Sequence, residues 1–184
     1  MRGLQAPLPR LSRRQAGTAL GMAAGLLLTL GALLWQGAPA ADIDRASLWA
    51  ACSATAAAWL ALSVALLARH RFFSAEDIEG AGLTRPSDRA RLLQALIQNT
   101  AEQTILAAAA YAAWLLAIPG SAPGVAVHCA VLFSLGRLLF FAGYRRGAAA
   151  RSLGFALTFY PTVGLLGLSL PSAVMRLLEV IRGG

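Results

Sequence analysis

The chain has 184 residues, of which 58% are hydrophobic and 13% charged, and its mean hydropathy is +0.63. Ordinary soluble domains carry about 25% charged residues, so this balance excludes disorder and argues against a water-soluble globule. The net charge of +8 comes from arginine without any lysine, but the arginines stand at the ends of apolar segments, as topology signals do, so no nucleic-acid partner is read from them.

Five apolar segments follow in chain order. The first, about Gln15 to Gln36, is uncharged from Ala16 to Trp35, close to the roughly 20 residues a spanning helix needs. Arg10, Arg13 and Arg14 before it and Ala38-Pro39-Ala40 after it also fit a cleavable signal. The apolar run is longer than a usual signal core, so it is read as a retained helix. The second, about Ala46 to Ala68, has 23 uncharged residues between Arg45 and Arg69. The third is about Arg91 to Ile118. The fourth, about Val125 to Ala142, contains Arg137. The fifth, about Ser152 to Leu170, is interrupted by Pro161. None alternates as barrel strands do, and only helices or closed barrels span a bilayer. The fold class is therefore an all-α polytopic membrane protein. Its parts are an N-terminal tail, helix and external loop (1–45), a four-helix membrane domain (46–171) and a C-terminal tail (172–184).

Arginine counts orient the bundle. From the N-terminal tail through the four loops to the C-terminal tail they run 4, 1, 5, 0, 3, 2. The larger value of each adjacent pair falls on one side throughout. The positive-inside rule then puts the N-terminus and the second and fourth loops in the cytoplasm and the C-terminus in the periplasm. Five spans fit that parity, and four would remain if the first were removed. The lysine-free, arginine-rich composition points to a bacterial inner membrane.

The third segment carries the sharpest signal. Gln94, Gln98 and Glu102 are spaced by four, as are Asn99 and Gln103, which makes one polar stripe. Glu102 lies about 16 Å along the helix from Arg91, a costly depth for an exposed carboxylate. Arg137, about 12 Å inside the end of the fourth helix, is the expected partner, with the third and fourth helices as antiparallel neighbours. Two readings follow: a purely structural ion pair, or a polar pocket open to the cytoplasm. The second is favoured because Asn99, Tyr144, Arg145, Arg146 and Arg151 offer more donors than one carboxylate needs. Such a pocket suits a small acidic ligand, since guanidinium groups match carboxylates bidentately. A cation within about 4–6 Å also favours a thiolate, lowering a thiol pKa by about 1–3 units. Cys52 and Cys129 read as buried free thiols far from that rim, so a reactive thiol would arrive with a ligand. Their spacing fits neither a disulfide framework nor a metal site, and no metal is expected. His70 is read as a rim residue. Thr158 and Tyr160, before Pro161, are placed to hydrogen-bond across the bundle or to satisfy a carbonyl freed by the proline. Gly143 and Gly147 are read as a close approach or a turn.

The stretch Arg137-Leu-Leu-Phe-Phe-Ala-Gly143-Tyr144 followed by Arg151 resembles the MAPEG family, membrane-associated proteins in eicosanoid and glutathione metabolism. So does Asn99-Thr-Ala-Glu102, and Arg151 to Pro161 resembles the last helix of the family's bacterial branch. The resemblance covers about residues 46–170. It implies an antiparallel four-helix transmembrane bundle, here with an extra N-terminal helix, assembled as a homotrimer. It also implies glutathione as co-substrate, held between subunits near the cytoplasmic face, and a lipophilic substrate arriving from the bilayer. Carried over by motif position, Asn99 and Glu102 would hold glutathione, Arg137 and Tyr144 would line its pocket, and Arg151 would stabilise the thiolate. Many members have an arginine four residues before the asparagine, where this chain has Ala95; Arg91 is the candidate to reach in from one turn further out. A family tyrosine is replaced by Phe140.

The leading functional expectation is a glutathione-dependent transferase or peroxidase acting on lipophilic electrophiles or lipid hydroperoxides. The alternative is a non-catalytic lipid-binding or scaffold protein of the same fold. A transporter is opposed by the stripe itself, because beyond Gln103 only Thr104 and Tyr111 add polarity.

Overall fold

The computed structural model describes residues 12–35, 43–80 and 82–183. Five long helices account for most of them: α1 (Arg13–Leu34), α2 (Arg45–Phe72), α3 (Asp88–Ala112), α4 (Pro123–Gly143) and α5 (Ala148–Gly183). Each of the first four starts on a local signal. Ser12 and Gln15 form a capping box at α1, the Asp44 carboxylate accepts from Ala46 N at 3.0 Å, the Ser87 hydroxyl accepts from Ala90 N at 3.2 Å, and Pro123 occupies the first turn of α4. Arg2 and Arg10, and the cleavage-like Ala38 to Ala40, lie outside the described residues.

Among the described residues four helices are long and apolar enough to cross a membrane: α1, α2, α4 with the turn that follows it, and α5. The polar rows of α3 keep it below that apolarity. α5 departs from expectation at its far end. It does not stop near Leu170 but continues through Pro161 and Pro171 to Gly183, so most of the segment read as a tail is helical. Hydroxyl groups sit along this stretch, Thr162 donating to the Thr158 carbonyl at 2.8 Å and Ser169 to that of Leu165 at 2.7 Å.

Helices α2 to α5 form a square. α2 packs beside α3 and α4, α5 packs beside α4 and α3, and α3 and α4 face each other only across the diagonal. The expectation that α3 and α4 are adjacent is thus corrected. The reason lies in residues 113–122, which are longer than a tight turn: a π turn (Ala113–Ala117) precedes Gly120 at φ +70°. Arg45 clamps this connection. Its guanidinium donates to the Leu115 carbonyl at 3.2 Å, the Ser121 hydroxyl at 2.7 Å and the Ser121 carbonyl at 2.8 Å. The residue counted as a topology marker is therefore also a structural tie.

α1 lies outside the square, along α5 and parallel to it. Gly17 meets Ala149, Gly25 meets Ala156, and Leu33 meets Gly164. One end of the molecule collects Arg13, Arg14 and the arginines of the α2–α3 and α4–α5 connections; Arg45, Arg176 and Arg182 belong to the other end. The apolar core, including Tyr111, Leu115, Cys129 and Phe133, sits toward the arginine-poor end.

Candidate functional site

The site is built where α4 ends and α5 begins. A Cβ at Gly143 would collide with the Ala150 backbone, so glycine lets the end of α4 abut α5. Gly147, at φ +96°, reverses the chain between them. Both glycines therefore serve the roles read from the sequence. As a result Tyr144 and Arg151, on opposite sides of the turn, face each other, and the Arg151 guanidinium carbon stands 4.5 Å from the Tyr144 ring centre. Tyr144 packs edge-on against Phe140 at 5.3 Å. Among the described residues Arg151 is held by an aromatic face rather than by a carboxylate, which leaves its N–H fork open to a ligand.

Arg137 lies one layer deeper and is fully buried. Its Nη1 donates to Asn99 Oδ1 at 2.9 Å and its Nη2 to Thr158 Oγ1 at 2.7 Å. Thr158 in turn donates to the Phe155 carbonyl of its own helix at 2.8 Å, and by accepting from Arg137 of α4 it hydrogen-bonds across the bundle as read from the sequence. The cation stacks on Phe140, 4.6 Å from the ring centre, and on Phe133 at 5.7 Å. Gly136 and Gly154 make this reach short, because α4 and α5 touch backbone to backbone there.

The expected Glu102–Arg137 pair does not form, and among the described residues Glu102 pairs with no cation. The two rows of α3 are offset by about 100° per residue, and α3 is flanked by α2 and α5, so only one row turns inward. Asn99 and Gln103 belong to it. Gln94, Gln98 and Glu102 are exposed, with Gln98 Nε2 donating to Glu102 Oε1 at 3.2 Å. Arg91 is corrected as well. It is exposed, donates to the Pro86 carbonyl at 3.1 Å and pairs with Asp88, so it is committed to the start of α3 and not to Asn99.

Three of the six residues singled out from the sequence, Asn99, Tyr144 and Arg151, line one cleft of about 320 Å³. Arg137 stands behind the cleft and holds the Asn99 carbonyl, leaving that side chain's amide group available to the cleft. Phe140 and Phe155 supply the apolar wall. Sequence reasoning missed Thr18 and Met22 of α1, which also line it. The signal was present as Gly17, Gly21 and Gly25, four apart, the spacing that lets membrane helices pack closely.

A second polar cluster was also missed. Asp77, buried in the α2–α3 connection, accepts from the Ser87 backbone at 2.9 Å and the Ser87 hydroxyl at 2.6 Å, and lies 2.8 Å from His70 Nε2. These partners hold its carboxyl at about 2, below the ordinary 3.8, with Ser87 the main cause. Cys52 and Cys129 are free and buried toward the opposite end of the bundle.

The model of the MAPEG family matches residues 46–171, from the first turn of α2 into α5. That span includes every cleft residue contributed by α3, α4 and α5, and it excludes α1. No curated protein and no solved structure significantly matches the chain.

Proposed function

The chain belongs to the MAPEG family, and from that premise we propose that it is a glutathione-dependent transferase or peroxidase acting on lipophilic electrophiles or lipid hydroperoxides. The observation that carries this reading is the guanidinium of Arg151, which has no carboxylate partner among the described residues and is held over Tyr144 in a cleft shared with Asn99. Glutathione brings two carboxylates, an ammonium group and a thiol. With a carboxylate on the arginine-rich rim and the sulfur beside Arg151, the cation stabilises the thiolate. A free thiol titrates near 8.5, and a shift of about 1–3 units puts a substantial fraction in the anionic form at neutral pH. The proton leaves to solvent, and Arg151 acts by electrostatics alone. In transfer, sulfur forms a bond to an electrophilic carbon and the leaving group departs with its electron pair. In peroxide reduction, sulfur takes the distal oxygen as the O–O bond breaks. The products are an alcohol and a sulfenic acid, which a second glutathione converts to disulfide and water.

The outward row of Gln94, Gln98 and Glu102 supports the assembly belonging to this reading. An ionised carboxylate against lipid is costly, and a neighbouring copy in a homotrimer covers it. Placement in a bacterial inner membrane is read from the lysine-free, arginine-rich composition, and the arginine-rich end is put in the cytoplasm by the positive-inside rule. The test is thiolate absorbance of the purified full-length protein mixed with glutathione. A band at neutral pH that is lost in Arg151→Ala is expected; no band in the wild type overturns the mechanism.

A non-catalytic lipid-binding or scaffold role has one observation in its favour. Phe140 in place of a phenol, and Arg137 with both terminal nitrogens already bonded to Asn99 and Thr158, leave Arg151 as the one cation lining the cleft among the described residues. Glutathione binding without turnover across a panel of electrophiles and hydroperoxides would select that role.

A further inference from the structure

α1 is outside the family match, yet it forms one wall of the cleft. Its position is set by close backbone approach. A Cβ at Gly21 would collide with the Ser152 hydroxyl, and one at Gly25 with the Ala156 side chain. A helix seated this way cannot rotate or slide without losing that fit, so the residues beside the glycine row are fixed too. Thr18 and Met22 follow Gly17 and Gly21 by one position each. They point past the α1–α5 seam into the cleft and remain only partly buried.

Their chemistry complements the opposite wall. The Thr18 hydroxyl already donates to the Arg14 carbonyl at 2.9 Å, so toward the cleft it is an acceptor, suited to an N–H of a ligand. Met22 presents a flexible, polarisable thioether toward the side that carries Phe140 and Phe155. From Phe155 an aromatic row continues along α5, with Phe159 stacked on it at 5.4 Å and Tyr160 beyond. The cleft therefore carries polar groups at two levels, Arg151 at the rim and Asn99 deeper, with Met22, Phe140 and Phe155 as apolar wall between them.

We propose that α1 is part of the ligand site: Thr18 and Met22 form one wall of the Arg151 cleft, and Met22 selects the apolar portion of the second substrate. This rests on the glutathione reading of the same cleft. The substrate class is an electrophile or hydroperoxide with a slender or flat apolar tail, because a cleft of about 320 Å³ is at the small end for ligand sites.

The test uses full-length protein in lipid nanodiscs carrying either Met22→Cys or Ala148→Cys, a cleft position supplied by α5. Modification of each new thiol by an uncharged maleimide is followed by peptide mapping, with and without S-hexylglutathione, a tripeptide bearing an apolar tail. Several-fold slowing at both positions is expected. Protection at 148 without protection at 22 overturns the α1 inference and leaves the glutathione reading standing. Protection at neither overturns both, and protection at 22 alone overturns the shared cleft. In parallel, Met22→Ala and Met22→Phe are assayed against electrophiles of increasing tail bulk. The ratio of kcat/KM for bulky over slender substrates should move in opposite directions, by about tenfold each, with the glutathione KM unchanged. A profile identical to wild type in both variants overturns the selectivity claim.

Discussion

Arg137 of α4 donates to Asn99 Oδ1 of α3 at 2.9 Å, across the diagonal of the helical square. Among the described residues no carboxylate meets this buried cation. It is compensated by two neutral acceptors, Asn99 and Thr158, and by two aromatic faces. Burying a cation on such terms costs stability, so its value lies in bracing three helices and presenting Asn99 to the cleft. Removing it in Arg137→Ala leaves Asn99 and Thr158 short of a donor and opens a cavity. A net loss of about 1–3 kcal/mol is expected, with weaker glutathione binding because Asn99 is no longer held. If bracing is the cause, Asn99→Ala in the Arg137→Ala background adds little to the binding defect. Full additivity of the two defects, read by calorimetry, would sink this account.

Glu102 has the opposite problem, a carboxylate on an outward face at the level of the bundle interior. Its only partner among the described residues is Gln98 at 3.2 Å. If a second copy covers this face and places Glu102 on the glutathione ammonium, Glu102→Gln keeps the shape and loses one charged hydrogen bond. Affinity for glutathione should fall about ten- to hundredfold, with helix content unchanged by circular dichroism. Light scattering of the wild type in mild detergent should give a multiple of the chain mass. A monomer, or an unaltered Kd in the variant, refutes the assignment.

The contrast between these two residues shows what was legible in the sequence. Segment lengths, arginine placement and the motifs around Asn99 and Arg137 give the helices and the family, because hydropathy and spacing are local properties. Which face of α3 turns inward is not local. It depends on α3 lying between α2 and α5, which residues 113–122 bring about with a π turn held by Arg45. The pairing of Glu102 with Arg137 assumed adjacency from a short connection, and the diagonal arrangement defeats it. Arg91 failed for another reason: Asp88 and the Pro86 carbonyl lie within one turn and capture its guanidinium before it can reach Asn99.

The seat of α1 can be tested by adding bulk. Gly21→Leu drives a side chain into Ser152 and the Leu153 backbone, whereas a Cβ at Gly31 meets no neighbouring group. Overpacking typically costs about 1–3 kcal/mol, so the thermal midpoint of Gly21→Leu should drop while Gly31→Leu stays near wild type. Equal midpoints for the two variants would mean that α1 is not seated on α5 in solution.

Asp77 sets a pH limit on the α2–α3 connection. Its carboxyl is held at about 2 against an ordinary 3.8, chiefly by the hydroxyl and backbone N–H of Ser87. For a carboxyl lowered by folding, the stabilisation is fully present above the unfolded value and disappears as pH falls through the folded one. The connection should therefore keep its contacts down to about pH 4 and lose them toward pH 2. The Ser87 amide resonance, which reports the hydrogen bond directly, should titrate with a midpoint near 2. Asp77→Asn should loosen residues 73–87 at neutral pH, with proteolytic cleavage there several-fold faster and no acid transition left to observe. A Ser87 midpoint at the ordinary aspartate value would show that the network around Asp77 does not form.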